Sequence, residues 1–245
     1  MQIAFLTDKG KIRELNEDSL FVDEDIGLFI VADGMGGHQA GEVASEMAVK
    51  IIADSIKKNL SDNNMSSLIK ESISKANNEI LLESRKNTNL SGMGTTVVLA
   101  MLNDNKLHIA NVGDSRAYLI KNNRIKQLTE DHSKVAELVR WGAITKEEAR
   151  VYPGRNIITK ALGTTESVEA DIKTISMKTG DYILLCTDGL TDVLKDEEIR
   201  DIIIISSNGS IDEKCKKLIN QANEKGGGDN VTAVLINIME ATRWD

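Results

Sequence analysis

The chain has 245 residues, of which 41 % are apolar, 28 % charged and only 3 % aromatic, and its formal net charge is −8. A chain of this length buries enough of its own surface to fold without a disulfide or metal staple. The acidic balance argues against general nucleic-acid binding, which rests on neutralising phosphates with Lys and Arg, and the scarcity of aromatics predicts an aliphatic core.

The N-terminus, MQIAFLTDKG, meets an acid at Asp8 and has no basic region followed by a long apolar one, so no secretory signal is expected. The apolar run VVLAML (97–102) falls far short of the ~18 residues of a membrane span, and a cytoplasmic protein without membrane attachment is expected. GLFIVADG reads as a strand ending at Asp33. Segment 42–60 places Val43, Met47, Ile51, Ile52 and Ile56 at helical spacing, and segment 66–84 does the same with Leu68, Ile69, Ile73, Ala76 and Ile80. Strands are predicted at 95–102, 106–112, 116–121 and 124–128 on short turns such as 103–105 and 121–123, the pattern of antiparallel meanders. A second helical region spans about 133–150, and the single proline, Pro153, falls in a loop. Strand 181–187 precedes helices near 196–206 and 211–224, and the last strand is 230–238. The isoleucines from Ile202 to Ile205 suit a buried strand or a helix equally.

No Pro- or Ser-rich linker and no internal repeat divides the chain, so one domain over 1–245 is expected. Helices in blocks beside antiparallel strands imply an α+β fold rather than a doubly wound parallel sheet. Cys186 lies inside the apolar run YILLC and reads as a buried thiol; neither it nor Cys215 belongs to a CxxC pair, so zinc and disulfide frameworks are unsupported.

The chemistry is signalled by aspartates at the ends of apolar runs: Asp33 in GLFIVADG, Asp114 in IANVGDSR, Asp188 in DYILLCTDG and Asp229 in GGGDN. One such Asp is ordinarily a turn former. Four of them, with Asn-Glu-Asp at 16–18, form an oxygen-only donor set that selects hard cations such as Mg and Mn over zinc. Gly34 and Gly189 would allow close backbone approach, and the Gly34 carbonyl is itself a candidate ligand. Two such ions make a water nucleophilic at neutral pH without any Ser–His–Asp arrangement. A dinucleotide-binding reading of GLFIVADGMGGHQAG fails, because the third glycine position is Gln39 and Asp33 would face the pyrophosphate; no GxxxxGK[ST] motif is present either.

Eight blocks stand in a recognisable order: RELNED (13–18), VADGMGGHQAGEVAS (31–45), GTT (94–96), NVGDSRAY (111–118), LTEDHS (128–133), RNIITKALG (155–163), LLCTDGLTD (184–192) and GGGDNVTAVLI (226–236). Together they resemble the PPM-type (type 2C) protein phosphatases in their compact bacterial form. The resemblance implies a four-layer α/β/β/α sandwich, two antiparallel sheets flanked by helix pairs, with two Mn or Mg ions and in many bacterial members a third. It implies hydrolysis of phosphoserine and phosphothreonine in proteins by a metal-bound hydroxide. Asp33 would bridge two metals, with the Gly34 carbonyl on the second, Asp188 and Asp229 completing the first, and Asp114 with Asp188 on the third. Glu17 and Asp18 would act through metal-bound waters. Arg13 would bind the phosphate, its planar fork suiting two oxygens at once. His38 would protonate the leaving serine or threonine oxygen, whereas His108 and His132 read as structural. Segment 138–156 corresponds to a flap beside the site. Thr187 stands where the family usually has serine, a change not expected to touch metal binding. Implied partners are phosphorylated proteins, among them a serine/threonine kinase of the same cell, and the expected state is a monomer. A phosphatase-like module without catalysis is disfavoured, because every matched metal position is intact.

Overall fold

A computed structural model describes residues 1–36, 40–60, 64–103, 106–205 and 209–239. The strands in chain order are β1 (Gln2–Asp8), β2 (Asp18–Asp23), β3 (Leu28–Met35), β4 (Gly94–Thr95), β5 (Val97–Asn103), β6 (Lys106–Val112), β7 (Arg116–Lys121), β8 (Arg124–Gln127), β9 (Asp171–Ser176), β10 (Tyr182–Cys186) and β11 (Val231–Asn237). The helices are α1 (Ala40–Lys58), α2 (Met65–Lys86), α3 (Lys134–Arg140), α4 (Lys146–Arg150), α5 (Asp188–Thr191), α6 (Asp196–Ile204) and α7 (Ile211–Glu224), with a 3₁₀ turn at Thr88–Leu90. One sheet runs β1-β11-β10-β7-β8 and the other β2-β3-β5-β6-β9, with β4 added to β3; the pairings are antiparallel.

The apolar runs are continuous rather than alternating because the central strands are covered on both faces. In β3, Leu28, Ile30 and Ala32 pack with α1 and α2, while Phe29 and Val31 face the other sheet. In β10, Leu184 and Cys186 pack with α6 and α7, while Ile183 and Leu185 point between the sheets. Strand geometry sends successive side chains to opposite faces, so these three cores define the expected order of helices, sheet, sheet, helices. Among the described residues, no helix is long and apolar enough to cross a membrane.

Several sequence-based expectations change in detail. The predicted strand 95–102 is split at Thr96 into β4 and β5. The predicted meander does not continue through 113–115: β6 belongs to one sheet and β7 to the other, so this turn carries the chain across the sandwich. Gly113 has φ +103, and a Cβ there would lie 2.5 Å from the Thr96 side chain. The run from Ile202 resolves as helix, closing α6 at Ile204. Strands β1, β2 and β9 had no sequence-based prediction. β1, β2 and β9 lie at sheet edges, where fewer positions need be apolar, and in β9 only Ile172 and Ile175, facing opposite cores, are half-buried among exposed residues.

Antiparallel pairing brings particular strand ends to a common edge. The start of β2, the end of β3, the start of β5 and the end of β6 meet there, as do the end of β10 and the start of β11. The aspartate-bearing turns are therefore neighbours in space although they are spread over nearly the whole sequence.

Candidate active site

Asp18 and Asp33 lie directly opposite each other in the β2–β3 register, which places their side chains on the same face of the sheet. Asp18 is buried, and its Oδ2 accepts hydrogen bonds from the Thr187 hydroxyl at 2.9 Å and the Thr232 hydroxyl at 2.7 Å. These threonines belong to the opposite sheet's edge, so Asp18 ties the two sheets together at the site. A hydroxyl relay supports it: Asn16 Nδ2 donates to Thr7 Oγ1, which pairs with Thr232 Oγ1. Thr187 keeps a hydroxyl at this point, and that hydroxyl also accepts from the Thr232 amide at 3.0 Å.

Asp33 is held through its backbone. Its amide donates to Thr96 Oγ1 at 3.0 Å, and its carbonyl accepts from the Thr95 hydroxyl at 2.8 Å and the Thr96 amide at 2.9 Å. Thr96 Oγ1 in turn pairs with Ser115 Oγ at 2.8 Å, beside Asp114. The GTT block thus sets the position of one aspartate and borders the turn that carries another.

Asn230 organises the third side. It donates its amide to Asp229 Oδ1 at 2.8 Å, accepts the Glu17 amide on Oδ1 at 2.8 Å, and donates Nδ2 to the carbonyls of Lys9 and Leu15 at 3.0 and 2.8 Å. The loop carrying Arg13 and Glu17 is therefore clamped to the start of β11. Arg13 Nη2 reaches Asp229 Oδ2 at 2.9 Å, with both side chains partly open to solvent. Glycine is required at two contacts: a Cβ on Gly34 would come 2.0 Å from Gly41 O, and one on Gly189 would come 1.9 Å from Asn230 O. Both close approaches match the sequence-based reading of these glycines.

The carboxylates perturb one another. Withdrawal from water raises Asp33 well above the ordinary carboxylate range, and Asp188, Asp18 and Asp114 raise it further. Asp114 is likewise raised well above that range, first by burial and then by Asp188 and Asp131. Asp18 is pushed up to about 7, by burial and by Asp188 and Asp229 against the lowering effect of its two threonine partners. Asp188 rises to about 6, by burial and then by Asp192 and Asp229. Glu17 is raised by burial, with Arg13 opposing. Like charges packed together in a low-dielectric setting bind protons or cations.

This donor set fits hard cations. Its chemistry is all oxygen, and two of its oxygens, Glu17 Oε1 and Asp18 Oδ1, are buried without a protein hydrogen-bond donor. No three His, Cys, Asp or Glu side chains among the described residues converge into a finished coordination shell.

Residues 8–231 match the family model described as Protein phosphatase 2C. The chain belongs to the protein phosphatase 2C family. This phosphatase 2C is 44 % identical over 251 residues to the serine/threonine phosphatase stp of Listeria welshimeri, with 99 % of each chain covered. It is 37 % identical over 247 residues to the protein phosphatase PhpP of Streptococcus pneumoniae, with 98 % of each covered. Its fold superposes on the crystal structure of the Mycobacterium tuberculosis serine/threonine phosphatase PstP/Ppp with a TM-score of 0.90 and 34 % identity, covering 97 % of this chain and 98 % of that one. A structure of the PstP catalytic domain in complex with two manganese ions gives 0.88 and 33 %, covering 98 % of each chain. The expectations of a bacterial PPM-type phosphatase and of its sandwich fold both hold.

Of the predicted site residues, the structure gathers Arg13, Glu17, Asp18, Asp33, Gly34, Asp114, Asp188 and Asp229 at one edge of the sandwich; His38 lies outside the described residues. His108 pairs with Thr174, and His132 Nδ1 accepts the Gly113 amide at 3.1 Å, supporting the turn that leads to Asp114. Segment 138–156 holds α4, whose Arg150 donates to the carbonyls of Thr191 and Asp192 just after Asp188, and Arg155 pairs with Asp192 at 3.4 Å. Sequence reasoning did not single out Thr95, Thr96, Thr232 or Asn230, and it read Asn16 only as part of the donor set. Thr232 was detectable as a polar residue inside an otherwise apolar strand; Asn230 reads from sequence as one more turn residue.

Proposed function

We propose that this phosphatase 2C hydrolyses phosphoserine and phosphothreonine in proteins at the edge where the two sheets bring their aspartates together. The observation that carries the reading is the convergence of Asp18, Asp33, Asp114, Asp188 and Asp229 from both sheets, with Arg13 hydrogen-bonded to Asp229 at 2.9 Å. Asp33, the Gly34 carbonyl, Asp188 and Asp229 would hold two Mn or Mg ions, and Asp114 with Asp188 a third. When bound, such ions supply a water nucleophile at neutral pH and neutralise developing charge on the phosphate. Glu17 and Asp18 fix the geometry from behind, Asp18 through its two threonine hydroxyls. Arg13 orients the phosphate through its guanidinium fork, and His38 gives a proton to the departing serine or threonine oxygen. The named activity of the Listeria relative and the two manganese ions of the PstP structure support this assignment. We place the enzyme in the cytoplasm as a monomer, acting on phosphoproteins that include a serine/threonine kinase of the same cell.

The test compares phosphate release from phosphothreonine peptides and from small phosphorylated metabolites. Higher kcat/KM on peptides supports the assignment, and turnover of metabolites alone would contradict it. In the same assay, Arg13→Ala is expected to raise KM for small phosphate esters roughly tenfold, the effect of losing a charge-assisted contact to the phosphate. An unchanged KM would remove Arg13 from phosphate binding.

A further inference from the structure

Beside the carboxylate cluster lies a cavity of about 710 Å³, lined by Arg13, Glu14, Leu15, Glu17, Val43 and Leu90 among others. Its volume falls within the ~300–1,000 Å³ typical of ligand-binding clefts. Three separate parts of the fold form it: the loop after β1, the first turns of α1 and the 3₁₀ turn at Thr88–Leu90. Val43 and Leu90 are half-buried and pack against the core between α1, α2 and their sheet, so this side of the groove is anchored. Leu15 adds an apolar surface that is 39 % exposed. Glu14 and Glu17 give the groove acidic walls, which repel an acidic occupant.

We propose that this groove is a substrate-docking subsite that seats an aliphatic side chain of the phosphoprotein, one to three residues from its phosphoserine or phosphothreonine. The inference rests on the phosphatase reading above and names the substrate feature that the same site selects. Continuity with the reaction centre identifies the occupant, because Arg13 and Glu17 border both the groove and the carboxylate cluster. A phosphate held by Arg13 brings its neighbours with it. An extended chain advances ~3.3 Å per residue, so positions up to three away stay within about 10 Å of the phosphate. An aliphatic side chain there leaves water for Leu15, Val43 and Leu90, whereas an aspartate at the same position meets Glu14 and Glu17.

The experiment uses the full chain with Mn and a set of phosphothreonine peptides in which leucine, glycine or aspartate is scanned through the three positions on either side. Phenyl phosphate serves as a substrate with no flanking residues. At one scanned position the leucine peptide is expected to exceed the glycine peptide about tenfold in kcat/KM, with aspartate poorest. Leu90→Ala and the nearly isosteric Val43→Thr should each cut that preference threefold or more while leaving phenyl phosphate turnover unchanged. Absence of preference at every position, a preference that both variants retain, or an equal loss on phenyl phosphate would each overturn the proposal. Failure of the wild type to hydrolyse even phenyl phosphate would overturn the phosphatase reading as well.

Discussion

Replacing Asp33 by asparagine is expected to lower phosphate release by on the order of 10³-fold or more, about 4 kcal/mol of transition-state stabilisation, while making the metal-free protein more stable. Both effects have one cause. Asp33 sits opposite Asp18 at the end of β3 and interacts with Asp188 and Asp114 as well, so its carboxylate is the one most surrounded by like charges. Cations would use that crowding, and an asparagine oxygen is a far weaker ligand for a hard divalent ion. Without cations the same crowding costs stability, and asparagine removes it at nearly constant shape. A gain in stability is therefore expected in chelator. Near wild-type turnover of Asp33→Asn at saturating metal would refute the proposed role. A loss of stability in chelator would show that the carboxylate is not under repulsion.

The second large effect is a fall in metal-free stability as pH rises from 5 to 8. Asp18 is raised to about 7 and Asp188 to about 6, while Asp33 and Asp114 lie well above the ordinary range. A carboxyl whose folded pKa is raised binds its proton more tightly in the native state. Its contribution is therefore complete below the unfolded value near 4 and is lost as pH climbs through the folded value. For Asp18 alone the change is on the order of 2–4 kcal/mol between these limits. His108 and His132 act oppositely, because burial lowers both. The informative comparison is thus wild type against Asp18→Asn in chelator, where the wild type should lose more stability between pH 5 and pH 8. Saturating Mn should abolish the wild-type decline, since cations replace protons on the cluster. Equal slopes for the two proteins in chelator would contradict the assignment.

Much of this was legible in the sequence because it was written in local patterns. Helices α1 and α2 announced themselves by apolar spacing, and β3, β5, β10 and β11 by apolar runs bounded by Asp, Gly or Asn. The aspartates were visible because an acid at the end of such a run is conspicuous. What stayed hidden depends on pairing between distant segments. Asn230 clamps Lys9, Leu15, Glu17 and Asp229, a role that exists only once β1 and β11 lie side by side. Thr232 stands out as a polar residue in an apolar strand, but its partner is fixed only when β2 brings Asp18 within 2.7 Å of it. The passage from β6 to β7 between sheets was missed because a short turn reads the same locally whether it closes a hairpin or crosses a sandwich. β1 and β2 are edge strands with partial burial, so neither shows a strong apolar period.

The most direct test of the metal-centred assignment is phosphate release from a phosphothreonine peptide, measured in chelator and then with added Mn or Mg, for wild type and Asp188→Ala. Release that requires metal in the wild type and is lost in a folded Asp188→Ala protein is the predicted result. Release that persists in chelator, or that Asp188→Ala retains in full, would contradict the claim that the strand-end aspartates form the reaction centre.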